Sequence, residues 1–228
     1  MDNLMSKDIH LNLEMETSIK LIKIGLKEYQ NISMSNDFYY IPFQLLSNGI
    51  ERLMKCYLCL GYHENNNNYP DIKILKGFGG KTGHNLLDLK STISSDYFND
   101  SSKALKDDRK FIEFNPELEI IINLLSEFGK YARYYNFDII TSAKKTSINI
   151  NEKWSEFETD ISQKLKKSDI PLKFSSVQKY IIVKIERFIR ALCRQFTLGE
   201  LRNKAKSLSS YYSDFLKLSD SDLGLTKY

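Results

Sequence analysis

The sequence predicts an all-α protein, and three observations carry that expectation. Apolar residues recur at spacings of three and four along most of the chain, the period of one helix face. Only 10 Gly and 4 Pro punctuate 228 residues, whereas sandwiches and barrels need a turn about every 8–12 residues. Hydrophobic residues make up 42%, which supplies a sizeable core and argues against a disordered chain.

The first helix is expected from about Leu13 to Met34, where Met15, Ile19, Ile22, Leu26 and Tyr29 share a face. A second is expected from Phe38 to about Tyr62. Ile50, Leu53, Met54, Tyr57 and Leu60 form its stripe, and Glu51 with Lys55 makes a favourable i,i+4 pair on another face. Residues 61–83 break every period and read as a long loop, in which the run Asn65 to Asn68 looks like low-complexity filler. Its end, with Gly77, Gly79, Gly80 and Gly83, lacks the strand-then-helix setting and the Lys-Ser/Thr ending of a phosphate loop.

Helical signals resume at His84 with Leu86, Leu87 and Leu89, and continue less clearly through residues 96–113. Asn115 is placed to cap a helix with Pro116 at its first position and Glu117 and Glu119 in its first turn. That helix carries Leu118, Ile121, Ile122, Leu125 and Phe128 inward and is expected to end near Asn136. Residues 141–150 read as a Ser/Thr/Lys loop with a short extended stretch at Ile148 and Ile150. A helix from about Asn151 to Lys167 buries Trp154, Phe157, Ile161 and Leu165, and Pro171 marks a boundary. Ser175 to about Leu218 then reads as one very long helix, or two broken near Thr197-Leu198-Gly199, with Ile181, Ile185, Phe188, Leu192 and Phe196 as its stripe.

The net charge of +4 is too small to imply a partner, but residues 163–206 carry twelve Lys/Arg against three Asp/Glu. Lys184, Arg187, Arg190 and Arg194 fall on one sector of the last helix, away from its apolar stripe. Such a face suits nucleic-acid phosphate or an anionic surface, and equally an ordinary solvated helix. No apolar run approaches the roughly 18 residues of a membrane span. The opening residues lack the basic-then-apolar form of a secretory signal. Three cysteines make no even disulfide framework, so a cytoplasmic protein away from membranes is expected.

Familiar catalytic routes are weakly represented. Cys56-x2-Cys59-x3-His63, completed by His84 or Cys193, has zinc-like composition, but its members lie on one side of a continuous helix. No strand precedes the dicysteine motif, as a redox pair requires, and no Gly-x-Ser-x-Gly nucleophile turn occurs. No metal and no cofactor are therefore expected. Two segments stand out instead. In Gly83-His84-Asn85-Leu86 a histidine opens a helix after a glycine-rich break, where it can work at a cleft mouth or cap its own helix. In residues 129–138, Arg133, Tyr134, Asn136 and Asp138 gather at a helix end. Arginine grips phosphate bidentately and tyrosine stacks a base; the competing reading is an Arg133–Asp138 or Arg133–Glu51 ion pair that ties helices together.

The order Leu46-Ser47-Asn48-Gly49-Ile50-Glu51-Arg52-Leu53-Met54-Lys55, then Gly83-His84-Asn85-Leu86, then Arg133-Tyr134-Tyr135-Asn136 resembles the HEPN superfamily over about residues 14–138. The resemblance implies an antiparallel helical bundle, expected over residues 1–140, and the helical periods beyond it add a long-helix extension over 150–228. It also implies a homodimer, and a role in bacterial anti-phage or toxin–antitoxin defence with a partner protein from such a system. Ribonuclease members carry Arg-x4–6-His. Here the matching residue after Arg133 is Asp138, and no histidine follows it. His84 can supply the proton-transfer group only where the fold brings it beside Arg133. Two functions are therefore expected to compete. One is an RNA- or nucleotide-binding protein, or an atypical ribonuclease, with Arg133 and His84 at its centre. The other is a non-catalytic protein whose basic helix binds an acidic partner.

Overall fold

The computed structural model describes residues 2–33, 38–131, 135–142, 149–167, 174–199 and 201–228. Helices α1 (Asp2–Gln30) and α2 (Tyr40–Asn66) form a long antiparallel pair. Tyr69, just past α2, donates to Asp8 at 2.6 Å, Arg52 reaches Glu14 near mid-helix, and the rings of Tyr29 and Tyr39 meet at the turn. The expected face of α1, from Met15 to Tyr29, is buried, as is the expected stripe of α2. Gly49 sets the closeness of the crossing, because a Cβ there would stand 2.8 Å from Ile22 Cγ1 and 3.0 Å from the Ile22 backbone nitrogen. The start of α1 lies well before the expected Leu13. Its first turns leave Met5 and Ile9 exposed, so no buried stripe announced them.

Residues 61–83 are not the loop that the sequence predicts. α2 continues to Asn66, and Asn67 ends it in the left-handed conformation (φ 53°) with its N–H donating to His63 O at 2.8 Å. The asparagine run is therefore a helix terminus. Asp71 then caps α3 (Ile72–Phe78) by accepting from the N–H groups of Lys73 and Ile74 at 2.8 and 2.9 Å. A 3₁₀ turn over Gly80–Thr82 follows, and Gly83 at φ 74° redirects the chain.

α4 (Leu86–Thr92) is capped by Asn85 and runs into a π-helical turn over Ile93–Tyr97. α5 (Lys103–Phe114) starts at Ser102. α6 (Pro116–Lys130) has the expected cap, with Asn115 Oδ1 accepting from Leu118 N at 2.9 Å. It stops at Lys130 rather than near Asn136, and a short α7 (Tyr135–Ile140) follows. α8 (Ile150–Lys166) begins in helix where an extended stretch at Ile150 was expected; Ile148 lies outside the described residues. The long C-terminal helix breaks where anticipated, into α9 (Phe174–Leu198), α10 (Arg202–Ser207) and α11 (Ser209–Leu216).

One hydrophobic core runs from Met15 to Phe215, so residues on both sides of the expected boundary at 140–150 share it. Trp154 of α8 packs 4.6 Å from Phe43 and edge-on to Tyr29 at 5.8 Å. One turn later Glu158 accepts from Trp154 Nε1 (3.0 Å), Tyr29 Oη (3.0 Å) and Tyr39 Oη (2.8 Å), which ties α8 to the α1–α2 turn. The stripe Ile181, Ile185, Phe188, Leu192 and Phe196 is fully covered by the chain itself. It therefore offers no face to a second copy. Among the described residues no helix is long and apolar enough to cross a membrane.

Candidate functional site

A cleft of about 470 Å³ opens where α2 passes the start of α4 and the end of α6. Its centre is an acid shared by two bases. Glu51 Oε1 stands 2.8 Å from His84 Nδ1 and accepts from Lys55 Nζ at 2.7 Å. One turn before Lys55, Arg52 is held by Asn48 Oδ1 at 2.7 Å and by Glu14 of α1. Lys130 and Tyr131, at the end of α6, close the opposite wall, with Lys130 paired to Glu127 at 2.6 Å.

Each of these side chains is positioned by local sequence. Asn48, Glu51, Arg52 and Lys55 recur at three and four residues, so they share one face of α2 above its buried stripe. His84 is fixed from behind. Asn85 Oδ1 accepts from Leu87 N and from Ser126 Oγ, while Ser126 Oγ itself accepts from Leu86 N at 3.0 Å. The histidine is thus not the cap of its helix; Asn85 is, and the His84 ring is left free to turn toward Glu51. Its side chain stays 56% exposed, and among the described residues nothing hydrogen-bonds its Nε2. A carboxylate on Nδ1 selects the tautomer with the proton there and directs the Nε2 lone pair outward, the arrangement of a general base.

Arg133 and Tyr134 lie outside the described residues. Tyr131, two positions before Arg133, lines the same cleft as His84. Asn136 and Asp138 sit on α7 and are not among the described residues that line it. Glu51, Asn48, Arg52, Lys55 and Tyr131 were not foreseen as site residues, although four of the five stand in the stretch that carries the resemblance.

The basic sector of α9 departs from expectation. Arg190 is 1% exposed, donating to Leu218 O at 3.0 Å and to Asp220 at 2.5 Å. Arg194 donates to both oxygens of the buried Asp108 at 3.1 Å. Arg187 stacks on Phe111 with its guanidinium 4.3 Å from the ring centre. Lys184 lies 3.7 Å from Glu117 and over the ring of Tyr180. These four are therefore not a solvent-facing phosphate track. α5, the start of α6 and the C-terminal segment cover them, and no helical period could show that cover in advance.

The cysteine motif is equally internal. Cys56 and Cys193 are buried and Cys59 is half-buried. Burial drives the Cys56 thiol upward and pushes Cys59 up to about 11, so both hold their protons. His63 packs on Tyr69 and faces Lys204 Nζ at 3.4 Å. Partial burial and that cation both lower its pKa. Among the described residues no three His, Cys, Asp or Glu gather as metal ligands do. No family model, no curated protein and no solved structure matches this chain.

Proposed function

We propose that this protein is an atypical HEPN-like protein that binds RNA in the Glu51–His84 cleft and acts on its phosphodiester without a metal. The observation that carries the reading is the 2.8 Å contact between His84 Nδ1 and Glu51 Oε1 in a cleft that also presents Arg52, Lys55 and Lys130. An imidazole with one nitrogen held by a carboxylate and the other open presents a lone pair that can accept a proton. In RNA that proton comes from the ribose 2′-hydroxyl. The 2′-oxygen attacks phosphorus, the 5′-oxygen leaves and is protonated from solvent, and a 2′,3′-cyclic phosphate remains. The cleft cations and Arg133, which enters from sequence alone, would hold the phosphate oxygens.

The resemblance extends the proposal to bacterial anti-phage or toxin–antitoxin defence, a cytoplasmic setting, a defence-system partner and a homodimer. The reading that a basic helix captures an acidic partner is weakened by the internal partners of Arg190 and Arg194. The test is binding of a labelled single-stranded RNA by fluorescence anisotropy in EDTA. Binding should weaken steeply with salt, because phosphate contacts release counterions, and should fall at least tenfold in Lys55→Ala with Arg52→Ala. RNA binding that ignores both substitutions would remove the cleft from the account.

A further inference from the structure

A second cleft, of about 530 Å³, lies between α5, α9 and the C-terminal segment. Three guanidiniums line it from one face of α9, those of Arg187, Arg190 and Arg194. Among the described residues two carboxylates pair with them, Asp108 with Arg194 and Asp220 with Arg190, while Asp107 also lines the cleft without an ion pair to any of the three. Glu186 is spent elsewhere, accepting from Gly224 N at 2.5 Å and Tyr228 Oη at 2.8 Å.

The remaining donors are short of acceptors. Arg187 Nε and Arg190 Nε are both buried, and among the described residues neither has a hydrogen-bond partner. Buried N–H groups without acceptors are uncommon in native proteins because their lost hydration is not replaced. Two such atoms belong to neighbouring arginines that line one cleft, so the protein itself leaves donors there unmatched.

Asp220 shows what fits there. Its side chain is 88% exposed, yet it reaches a guanidinium whose own side chain is 1% exposed. A surface carboxylate from the chain's last turns thus stands where a ligand oxygen would bind. At the rim Phe114 is 76% exposed, an uncovered aromatic face beside the arginines. Arginines suit phosphoryl oxygens and an open aromatic ring suits a base.

We infer that this cleft is a binding site for a nucleoside diphosphate. Its phosphates lie on Arg187 and Arg190 and its base on Phe114, and it displaces Asp220. The site shares no residue with the Glu51–His84 cleft and does not rest on the RNA reading.

The test is calorimetric titration of the full chain with ADP, with inorganic pyrophosphate and with adenosine. ADP should bind the parent protein, and Asp220→Asn, which removes the competing charge, should tighten it several-fold. Arg187→Gln should weaken ADP at least tenfold with an unchanged melting temperature. Phe114→Ala should weaken ADP about fivefold and leave pyrophosphate unaffected. His84→Ala should leave ADP affinity as it was. The inference fails if neither the parent nor Asp220→Asn binds ADP at millimolar concentration, or if Arg187→Gln binds it as the parent does. It also fails if pyrophosphate binds as tightly as ADP, since the base then makes no contact. Loss of ADP binding in His84→Ala alone would move the ligand to the other cleft and end the inference, while leaving the RNA reading standing.

Discussion

The His84 ring meets Glu51 across 33 positions of sequence, with Nδ1 2.8 Å from Oε1. The contact is half-exposed, and Glu51 is also held by Lys55, so little folding energy depends on it. His84→Ala should therefore leave stability within about 0.5 kcal/mol of the parent. Thermal denaturation checks this. A drop of several degrees would make the pair a structural tie instead.

The opposite holds for Arg194 and Asp108. Asp108 is 2% exposed, burial alone raises its pKa, and the guanidinium of Arg194 does most to oppose that rise. Removing Arg194 strands the carboxylate between α5 and α9. Arg194→Ala should cost about 3–5 kcal/mol by urea denaturation, and adding Asp108→Ala should return part of it. A loss below about 1 kcal/mol would show that the pair does not hold α5 in place.

Glu158 gives the molecule a pH signature. Burial raises its pKa above the ordinary 4.5, although three donors oppose the shift. The folded chain keeps this proton to higher pH than the unfolded chain does. The group's contribution is therefore fully present below the unfolded value and is lost as pH rises through the folded one. Glu158→Gln removes the titration, so the stability of the parent relative to this variant should fall on going from acid to neutral pH. An advantage that grows with pH would mean that the ionised form is the favoured one. Glu158→Leu, which strands three donors, should cost about 3 kcal/mol or more at either pH.

The proposed homodimer requires an exposed apolar face, and α1 carries one. Met5, Ile9 and Leu13 are exposed at intervals of four along the first turns of α1. A homodimer should use that row, so Ile9→Lys with Leu13→Lys should halve the mass seen by light scattering without lowering the melting temperature. A parent protein that is monomeric at micromolar concentration would contradict it.

What could be read in the sequence was local. Asn115, Pro116 and Glu117 announce the start of α6 because a cap needs only its own turn, and the Trp154–Leu165 face follows from helical period alone. The break after Leu198 was visible in Gly199 for the same reason. Asn67 was missed because an asparagine that ends a helix at positive φ looks like loop composition. Arg190 was misjudged because its cover comes from Leu218 and Asp220, and a helical wheel knows nothing of a returning tail. The cleft falls between these cases. Glu51, Lys55 and His84 all stood in the stretch that suggested a family, and only the packing of α2, α4 and α6 made one site of them.

Action of the Glu51–His84 cleft on RNA is tested by a cleavage assay. Purified parent, His84→Ala, Glu51→Gln and Arg133→Ala proteins are incubated with a labelled single-stranded RNA in EDTA, and the products are resolved by length and end group. The parent should release fragments ending in 2′,3′-cyclic phosphate. His84→Ala should abolish them, and Glu51→Gln should slow them about 10²-fold or more, as expected when a general base loses its orienting carboxylate. Arg133→Ala should abolish them too, with all four melting temperatures alike. An intact substrate with the parent, or cleavage that survives in His84→Ala, would contradict the claim.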